Sequence, residues 1–522
     1  MKLPNYISGR WVEGRGPGAA LHDPVLGTEL ARATTDGIDF AGALDFGRKT
    51  GGAALRALGY AERAALLGKI ADVLSANRAA YFEIALANSG SPESDASIDI
   101  DGAIFTLKYY ARAGAALGGA RYLKDGELVR LGKDEAFQAL HIAQPLRGVA
   151  ILINAFNFPA WGLWEKAAPA LLSGVSVLAK PATATAWLTQ RMVEDVVKAG
   201  VLPEGALSIV CGSAGDLLDH VGGSDAVSFT GSAETALRIR SHPAVLRNST
   251  RVNVEADSLN AALLGPDAKP GTTEFDLLVR EVVREMTVKA GQKCTAIRRV
   301  LVPADQRSAV QEAIAARLAK TVVGNPRNKD VRMGPLVSKA QQRSAIEGIA
   351  ALKQETTAVF EGGAEFRPLD ADPALAAFVP PTLLSCGDAL GARAVHEVEV
   401  FGPVATVVPY ADADQAFAIA RLGHGSLVAS VFSADTQFLA RAAVELAESH
   451  GRVLAVNAAI GSSHTGHGNV MPQCLHGGPG RAGGGEELGG LRALGFYHRR
   501  SAIQAHVDCL NAVAAQAVEL RY

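Results

Sequence analysis

The segment TVKAGQKCTAIRR at 287–299 places one cysteine, Cys294, among small and cationic residues after a helix-like stretch. A single carboxylate, Glu255, lies earlier in the strand-like run RVNVEADSLNAALL, and Asn157 lies earlier still in AFNFPAW. A nucleophilic thiol, a carboxylate base and an amide that donates to an oxyanion are the groups needed to oxidise an aldehyde through a thioester. The three residues together predict that chemistry.

Each of the three residues has a purely structural alternative. Cys294 could be a small buried hydrophobic residue, although its neighbours are small and polar rather than apolar. Glu255, within an apolar run, must be paired, for example with an arginine, or have its pKa raised by desolvation toward that of a general base. Asn157 could form a turn before Pro159.

Three further segments suggest a dinucleotide site. FTGSAET at 229–235 places a strand end, Gly231 and Ser232 ahead of a helix, an arrangement suited to a pyrophosphate. Lys180 ends a strand from which side chains could reach an adenosine ribose, although it could also be a solvated strand end. EVEVFGPVATVV places Glu399 and Phe401 where a nicotinamide riboside could pack, or it is an ordinary junction between a loop and a strand. The candidate cofactor-binding residues are Phe156, Lys180, Ala182, Thr183, Gly212, Gly215, Thr230, Gly231, Ser232, Glu399 and Phe401.

Three histidines, His464, His467 and His476, lie near one another in the sequence. No cysteine or carboxylate accompanies them at the spacing of a metal-binding motif, so we predict no metal site.

The composition excludes several classes of protein. The 522 residues include 51 basic and 53 acidic side chains, for a formal charge of −2, which favours neither nucleic acid nor an acidic membrane as a partner. Five dispersed cysteines argue against a disulfide framework. The N-terminus lacks a signal-like apolar region, and no stretch reaches the roughly 18 apolar residues of a membrane span. We therefore expect a cytoplasmic protein of two or three domains.

The pattern along the chain predicts an α/β protein. Residues 37–120 have helical spacing, and short apolar strands alternate with helices from about residue 145, as in a parallel doubly wound sheet. A second alternating region spans roughly 261–450. The glycine-dense segment HGGPGRAGGGEELGG at 476–490 is not expected to form regular structure, whereas the following YHRRSAIQAHV reads as an exposed strand.

Six segments resemble the motifs of the aldehyde dehydrogenase superfamily, in the same order and over nearly the whole chain. They are AFNFPAW, LAKPATATA, VSFTGS, VNVEA, GQKC and EVFGPV. The resemblance implies a Rossmann-like cofactor domain, an α/β catalytic domain and a small oligomerisation β-flap. The implied boundaries are 1–257 for the NAD(P)-binding domain, with about 125–144 contributing to the flap, 258–483 for the catalytic domain, and 484–522 for the C-terminal segment. In that fold YHRRSAIQAHV adds to the sheet of a partner subunit, in a homodimer or homotetramer.

The resemblance also assigns roles to five residues. It implies Cys294 as the nucleophile and Glu255 as the base, and an oxyanion site formed by Asn157 and the backbone N–H of Cys294, with Lys166 nearby. Glu487 occupies the position of a second carboxylate near the path of the hydrolytic water.

Two residues depart from the family pattern. NAD-preferring members carry a glutamate where this chain has Thr183, which bears no charge to repel a 2′-phosphate. We therefore expect NADP as the preferred cofactor, with NAD possible at lower preference. Ala236 replaces a common glycine after FTGS, which makes the fit to the phosphates less close.

The tail HGGPGRAGGGEELGGLRAL is similar to the dehydrogenase portion of bacterial ring-opening enzymes, which oxidise semialdehydes carried on coenzyme A. In the phenylacetate pathway that portion is fused to a hydratase, and this sequence, ending at Tyr522, predicts a stand-alone form. The implied substrate is 3,4-dehydroadipyl-CoA semialdehyde of the benzoyl-CoA pathway. Two alternatives remain, a CoA-acylating dehydrogenase and a non-catalytic protein that retains the fold.

Overall fold

The computed structural model describes residues 1–362 and 366–520. Two seven-stranded sheets, one four-stranded sheet and two two-stranded sheets organise these residues, and helices pack against the two largest sheets. The strands are β1 Asn5–Ile7, β2 Arg10–Val12, β3 Ala19–His22, β4 Glu29–Ala33, β5 Leu123–Arg130, β6 Phe137–Pro145, β7 Val149–Ile153, β8 Ser176–Lys180, β9 Leu207–Ile209, β10 Ala226–Thr230, β11 Arg251–Glu255, β12 Ala261–Leu264, β13 Arg299–Pro303, β14 Thr356–Glu361, β15 Thr382–Cys386, β16 Val404–Tyr410, β17 Ser426–Phe432, β18 His450–Val456, β19 Leu475–Gly477, β20 Glu486–Leu488, β21 His498–His506 and β22 Val518–Glu519.

The α-helices account for most of the remaining regular structure. They are α1 Phe40–Phe46, α2 Gly52–Ala57, α3 Tyr60–Ala76, α4 Arg78–Ser89, α5 Glu93–Ala115, α6 Trp161–Ser173, α7 Ala186–Lys198, α8 Ala233–Arg240, α9 Pro243–Asn248, α10 Thr273–Thr287, α11 Arg307–Leu318, α12 Lys339–Leu352, α13 Ala394–Glu397, α14 Ala413–Arg421, α15 Thr436–Ala447 and α16 Val507–Ala514.

The first sheet has the strand order β11-β10-β7-β8-β9-β1-β2, and its strands from β11 to β9 are parallel. All five residues of β7 are buried, because a strand between two parallel neighbours is covered by helices on both faces. The parallel doubly wound arrangement expected from the alternating pattern is confirmed.

The second sheet has the order β14-β15-β16-β13-β12-β17-β18 and is parallel except at β14. Helix α10 covers part of it, with apolar residues on one side and an N-cap in which Thr272 Oγ1 accepts from the Phe275 N–H at 3.3 Å. The change from the first sheet to the second falls between β11 and β12, beside the boundary predicted at 257.

The third sheet has the order β21-β6-β5-β22. Strand β21 pairs antiparallel with β6 over its full length, which confirms that YHRRSAIQAHV forms a strand and that the 125–144 region belongs to the same small sheet. Most of β21 is exposed, and it is one of the two edge strands of this sheet, with β22 at the other edge. The last two residues of the predicted C-terminal segment, 521 and 522, lie outside the described residues.

The expectation for the glycine-dense segment is wrong in part. Strands β19 and β20 form an antiparallel hairpin in which His476 is opposite Glu487. The predicted boundary after 483 therefore falls inside this hairpin. The glycines allow close backbone packing: a Cβ built on Gly485 would stand 2.3 Å from the carbonyl oxygen of Val254, next to Glu255.

The carboxyl ends of β7, β8, β10 and β11 meet at one edge of the first sheet and carry Asn157, Lys180, Thr230 and Glu255 at or just beyond them. Cys294 precedes β13 of the second sheet and faces this edge. Ligands of open parallel sheets bind at such edges. No helix in the described parts of the chain has both the length and the apolar character needed to cross a membrane.

Candidate active site

The loop before Cys294 has a constrained backbone. Lys289 and Ala290 both have φ of +52°, and Gly291 follows with φ of +69°. A Cβ at Gly291 would lie 2.2 Å from the carbonyl oxygen of Gly402, so only glycine fits there. The Lys289 N–H donates to Asp95 Oδ2 at 2.7 Å, which anchors the loop to helix α5.

Asn260 holds the nucleophile itself. Its side-chain Nδ2 donates to the carbonyl oxygen of Cys294 at 2.8 Å and to that of Ala296 at 2.9 Å. Its Oδ1 accepts from Ser258 and from the Val428 N–H at 3.0 Å, so the amide is fully used. Sequence analysis did not single out this residue, although a polar Asn inside the apolar run LNAALL was a usable signal.

Cys294 is a free, half-buried cysteine. Burial raises its pKa well above the usual value, and the carboxylates of Glu255, Glu165 and Glu399 raise it further. The cations near it in sequence are engaged elsewhere: Lys293 Nζ lies 2.7 Å from both Glu285 oxygens, and Arg298 and Arg299 donate to backbone carbonyls. Formation of the thiolate therefore requires a base, because these cations do not lower the pKa of the thiol.

Glu255 is the predicted base, and it lies beside the thiol. It ends strand β11, is buried, and its Oε2 lies 3.1 Å from Nε2 of His476. Burial alone would raise its pKa, but His476 outweighs that effect, with help from Lys166, and lowers the pKa to about 2. Glu255 is thus a paired carboxylate, and its partner is a histidine rather than one of the arginines.

The structure brings the three predicted residues together. Asn157, Glu255 and Cys294 line one cavity at the edge of the first sheet, with Glu165 and Trp161. The Sγ of Cys294, a Glu255 oxygen and a His476 ring nitrogen lie within 4.8 Å of one another. A carbonyl carbon within reach of Cys294 would therefore have the amide and the carboxylate beside it.

A second cavity, of about 330 Å³, opens on the other side of Cys294. Its walls are largely apolar and aromatic, and they include Phe105, Phe158, Trp161, Val470 and Met471. His476 and Asp101 are the ionisable side chains that line it besides Cys294 among the described residues. This shape and lining suit a chain of carbons that ends at an aldehyde. We call it the substrate-side cavity.

Lys166 and Glu487 lie together behind the catalytic cavity. Lys166 Nζ is 2.9 Å from Glu487 Oε2 and is also ion-paired with Glu165, and all three side chains are buried. Glu487 Oε1 accepts from Ser228 at 2.8 Å and from Asn253 at 3.0 Å. Lys166 is therefore held by carboxylates, and the roles predicted for it and for Glu487 stay predictions.

Glu165 is a third carboxylate that sequence analysis missed. Burial raises its pKa to about 8, with further contributions from Glu487 and Glu255, although Lys166 acts in the opposite direction. Lys166 does not offset the burial of Glu165 and the two neighbouring carboxylates, so the pKa of Glu165 stays raised. The signal in the sequence was a glutamate directly before Lys166 within the apolar helix WEKAAPALL.

The nucleotide-binding candidates surround the same sheet edge. Thr230 Oγ1 and Glu399 Oε1 are buried and have no hydrogen-bond partner among the described residues, as expected of groups that await ligand hydroxyls. Burial raises the pKa of Glu399 to about 7. Ser232 caps helix α8, and the Gly231 N–H donates to the Glu255 carbonyl at 3.1 Å, which joins this turn to the base. These residues fit a dinucleotide.

The other cofactor candidates divide into two groups. The rings of Phe156 and Phe401 pack edge to face with centroids 5.6 Å apart, beside the catalytic cavity. At the ribose end, Thr183 Oγ1 donates to the carbonyl oxygen of Gly212 at 3.3 Å, close to Lys180 at the end of β8. Ala182 precedes the short 3₁₀ turn at Thr183–Thr185, Gly215 has φ of +50°, and Ala236 is buried within α8.

The argument against a metal from histidine spacing does not hold in three dimensions, because His476 meets a carboxylate and a cysteine from distant parts of the chain. The absence of a metal stays a prediction. His467 is elsewhere: its Nδ1 pairs with Ser430 Oγ at 2.5 Å. All five cysteines are free, which confirms the absence of a disulfide framework.

Comparison with known proteins identifies the family to which the sequence is similar. A family model described as "Aldehyde dehydrogenase family" matches residues 11–501. The chain is 64% identical over 479 residues to a 3,4-dehydroadipyl-CoA semialdehyde dehydrogenase of Aromatoleum evansii, covering 92% of this chain and 93% of the relative. It is 26% identical over 447 residues to a D-glyceraldehyde dehydrogenase (NADP(+)) of Thermoplasma acidophilum, covering 83% and 84%.

Among solved structures, the fold is similar to that of betaine aldehyde dehydrogenase from Staphylococcus aureus in complex with NAD+. The TM-score is 0.82 at 25% identity, and the match covers 96% of this chain and 94% of that one. The α/β fold and the family resemblance inferred from the sequence are therefore confirmed.

Proposed function

The chain belongs to the aldehyde dehydrogenase family, and we propose that it oxidises 3,4-dehydroadipyl-CoA semialdehyde to 3,4-dehydroadipyl-CoA with NADP+, through a thioester on Cys294, in aerobic benzoate degradation. The observation that carries this proposal is the convergence of Asn157, Glu255 and Cys294 on one cavity. The 64% identity to a relative named for this substrate supports the choice of aldehyde.

The mechanism follows from the positions of these three side chains. Glu255 removes the proton from Cys294, and the thiolate adds to the aldehyde carbon. The Asn157 amide and the Cys294 N–H donate to the oxyanion, and one such donor contributes about 3 kcal/mol to transition-state stabilisation. The dinucleotide, which Thr230 and Glu399 would help to hold, would supply the acceptor for the hydride released as the thioester forms. After Glu255 has lost its first proton to solvent, it takes a proton from water, and the hydroxide that forms attacks and cleaves the thioester.

The cofactor choice rests on the ribose end of the nucleotide site. Thr183 presents a hydroxyl, already directed at Gly212, where a glutamate would repel a 2′-phosphate. Lys180 ends the adjacent strand and supplies the nearest cation of this segment. A distant relative carries NADP(+) in its name, whereas the Staphylococcus structure contains NAD+, so family membership alone does not decide between them.

The substrate assignment is tested by an NADP-reduction assay with two aldehydes. We expect a much higher kcat/KM with the CoA-linked semialdehyde than with a free aliphatic aldehyde of the same length. A Cys294→Ala variant is the control and should reduce no NADP with either. Equal kcat/KM values for the two aldehydes would contradict the proposed CoA-linked substrate but not the proposed oxidation through a Cys294 thioester.

The role of Glu255 is tested in the pre-steady state. Glu255→Gln should slow thioester hydrolysis more than hydride transfer, so a burst of NADPH near one per subunit should precede slow turnover. A variant with neither burst nor turnover would place the essential role of Glu255 in an earlier step, before hydride transfer.

A CoA-acylating dehydrogenase would cleave the thioester with free CoA and needs no base to activate water. The buried Glu255 beside Cys294 favours hydrolysis, and product analysis with and without free CoA distinguishes the two. A non-catalytic protein would not react in thiol titration and would oxidise no aldehyde in a panel.

We further propose a cytoplasmic homodimer or homotetramer, with the three domains at the boundaries given above. The exposed outer edge of β21 supports addition to a partner's sheet. Light scattering of the protein and of an Ala502→Pro variant tests this, since a proline on that edge should weaken assembly.

A further inference from the structure

One wall of the substrate-side cavity belongs to the outward face of helix α5. Phe105 of this helix lines the cavity, yet it is 39% exposed. Val470 and Met471 form another part of the lining, and their segment continues to the exposed Cys474. The cavity therefore opens to the surface beside α5, and an aromatic ring at such an opening is suited to packing against a ligand that extends beyond it.

The same face of α5 carries two cations beyond the opening. Lys108 and Arg112 follow Phe105 at a spacing that places all three side chains on one side of a helix. Both cations are exposed, and neither has a hydrogen-bond or ion-pair partner among the residues that the structure describes. The distance from Phe105 to Arg112 along the helix axis is about 10 Å, so these charges extend from the opening over the surface of the protein.

A third cation reaches this region from the C-terminal segment. Arg492 is exposed and follows Gly490, where an added Cβ would stand 2.9 Å from the Tyr109 hydroxyl of α5. Burial raises the pKa of Tyr109, and the guanidinium groups of Arg112 and Arg492 both oppose that rise, as cations close to the phenol do. Lys108, Arg112 and Arg492 are therefore grouped around one part of α5. We call these three side chains the outer cations.

The acidic side chain at the opening is already paired. Asp101 lines the cavity, and Arg78 donates two hydrogen bonds to it, from Nε to Oδ1 at 2.6 Å and from Nη2 to Oδ2 at 2.7 Å. The guanidinium carbon of Arg78 also lies 4.1 Å from the centroid of the Phe82 ring. On this face of α5 an approaching anion therefore meets the outer cations rather than an unpaired carboxylate.

We propose that the outer cations bind the phosphates of the 3′-phospho-ADP group of a CoA-linked aldehyde, with its pantetheine arm packed along Phe105 and its acyl chain in the substrate-side cavity. This inference rests on the proposed function and names the surface that recognises the carrier. Coenzyme A joins a flexible arm to a diphosphate and a 3′-phosphate, and ammonium and guanidinium groups bind phosphates through charge-assisted hydrogen bonds. A free aldehyde of the same length fills the cavity without reaching these cations. No covalent bond forms or breaks at this surface, so the contact raises affinity for the substrate and does not change the chemical step.

Charge reversal on α5 tests the role of the outer cations. The variant is Lys108→Glu/Arg112→Glu, and its matched control is Lys320→Glu/Lys329→Glu, which makes the same change in net charge at exposed positions between α11 and α12. The readout is the ratio of kcat/KM for the CoA-linked semialdehyde to that for a free aliphatic aldehyde. We expect reversal on α5 to lower this ratio about tenfold, through KM for the CoA-linked aldehyde, because repulsion replaces attraction at two exposed positions. The control should keep the wild-type ratio.

Binding of the carrier without its aldehyde gives a second readout. Desulfo-CoA lacks the thiol and cannot cleave a thioester, and saturating NADP+ keeps its adenosine out of the nucleotide site. We expect calorimetry to show that desulfo-CoA binds the NADP+-saturated wild type, and binds it more weakly as the ionic strength rises, since salt screens exposed charges. Lys108→Glu/Arg112→Glu should weaken this binding about tenfold. Lys108→Ala/Arg112→Ala, which removes the charges without adding repulsion, should weaken it by a smaller factor.

A wild-type ratio in Lys108→Glu/Arg112→Glu, or equal affinity of that variant and wild type for desulfo-CoA, would overturn the role of the outer cations while the proposed function stands. A wild type without preference for the CoA-linked aldehyde would count against the proposed substrate. The outer cations are then judged by desulfo-CoA alone, and absence of binding to wild type would overturn their role as well. If the charge-reversed variant does not fold, Lys108→Ala/Arg112→Ala decides by the same two readouts.

Discussion

The side-chain amide of Asn260 donates to the carbonyl oxygen of Cys294 at 2.8 Å, so a buried residue directly before strand β12 of the second sheet sets the position of this cysteine. The same amide group donates to Ala296, and together these bonds brace the loop on both sides of the thiol. The placement of Cys294 is therefore tied to the core of the catalytic domain rather than to its surface.

Asn260→Ala should impair both stability and reactivity. The substitution leaves two buried carbonyl groups without these donors, and each unsatisfied group lowers the free energy of unfolding by about 1–3 kcal/mol. It also allows the loop that carries Cys294 to shift. We expect a lower thermal midpoint and slower alkylation of Cys294 by a thiol reagent. Asn328→Ala, at a half-buried site where the side-chain amide donates to Asp370, is the control. Equal alkylation rates in wild type and Asn260→Ala would exclude the bracing role.

Lys166→Met should be strongly destabilising. It removes the one cation between Glu165 and Glu487, and breaking a buried ion pair typically costs about 3–5 kcal/mol. Chemical denaturation measures the loss. Lys49→Met removes an exposed pair with Asp45 and should cost less than about 1 kcal/mol.

A combined Lys166→Met/Glu165→Gln variant should recover part of the loss, since it leaves one carboxylate fewer without a cation. A double variant less stable than Lys166→Met would show that Glu165 stabilises the fold through contacts other than its charge.

Stability should fall as the pH rises from about 5 to about 8. The pKa of Glu165 is raised to about 8 in the folded protein, chiefly by burial, whereas an unfolded glutamate has a pKa of about 4.3. Between these values the folded state binds more protons than the unfolded state, so raising the pH favours unfolding. The thermal midpoints of wild type and Glu165→Gln are measured across this pH range. All other groups titrate in both proteins, so the difference between the two curves gives the contribution of Glu165. Parallel curves would mean that Glu165 is already ionised.

Thr183→Glu should shift preference from NADP toward NAD. A carboxylate near the 2′-phosphate adds a repulsion of roughly 1–4 kcal/mol, depending on screening. We therefore expect kcat/KM for NADP to fall at least about tenfold, while that for NAD holds or rises. Thr183→Gln, of similar size without charge, is the control, and equal losses with both cofactors would point to a steric effect.

The motifs AFNFPAW, VNVEA and GQKC identified the family, because nucleophile, base and amide must be particular residue types wherever they lie in the chain. The local sequence pattern also predicted the parallel sheets and the strand β21. A strand buried on both faces is almost entirely apolar, whereas an exposed edge strand contains polar residues, so both can be recognised from the sequence. The hairpin β19–β20 was missed because its glycines serve close backbone packing, which has no local periodicity.

The sequence by itself determined which residues can act as nucleophile, base and oxyanion donor, and it determined the family that uses them. Only the tertiary structure decided how the pKa values of those residues are shifted. The pairing of Glu255 with His476 and the crowding of Glu165, Lys166 and Glu487 join residues far apart in the chain. Protonation depends on burial and on charges a few ångströms away in space, and neither quantity can be obtained from spacing along the chain.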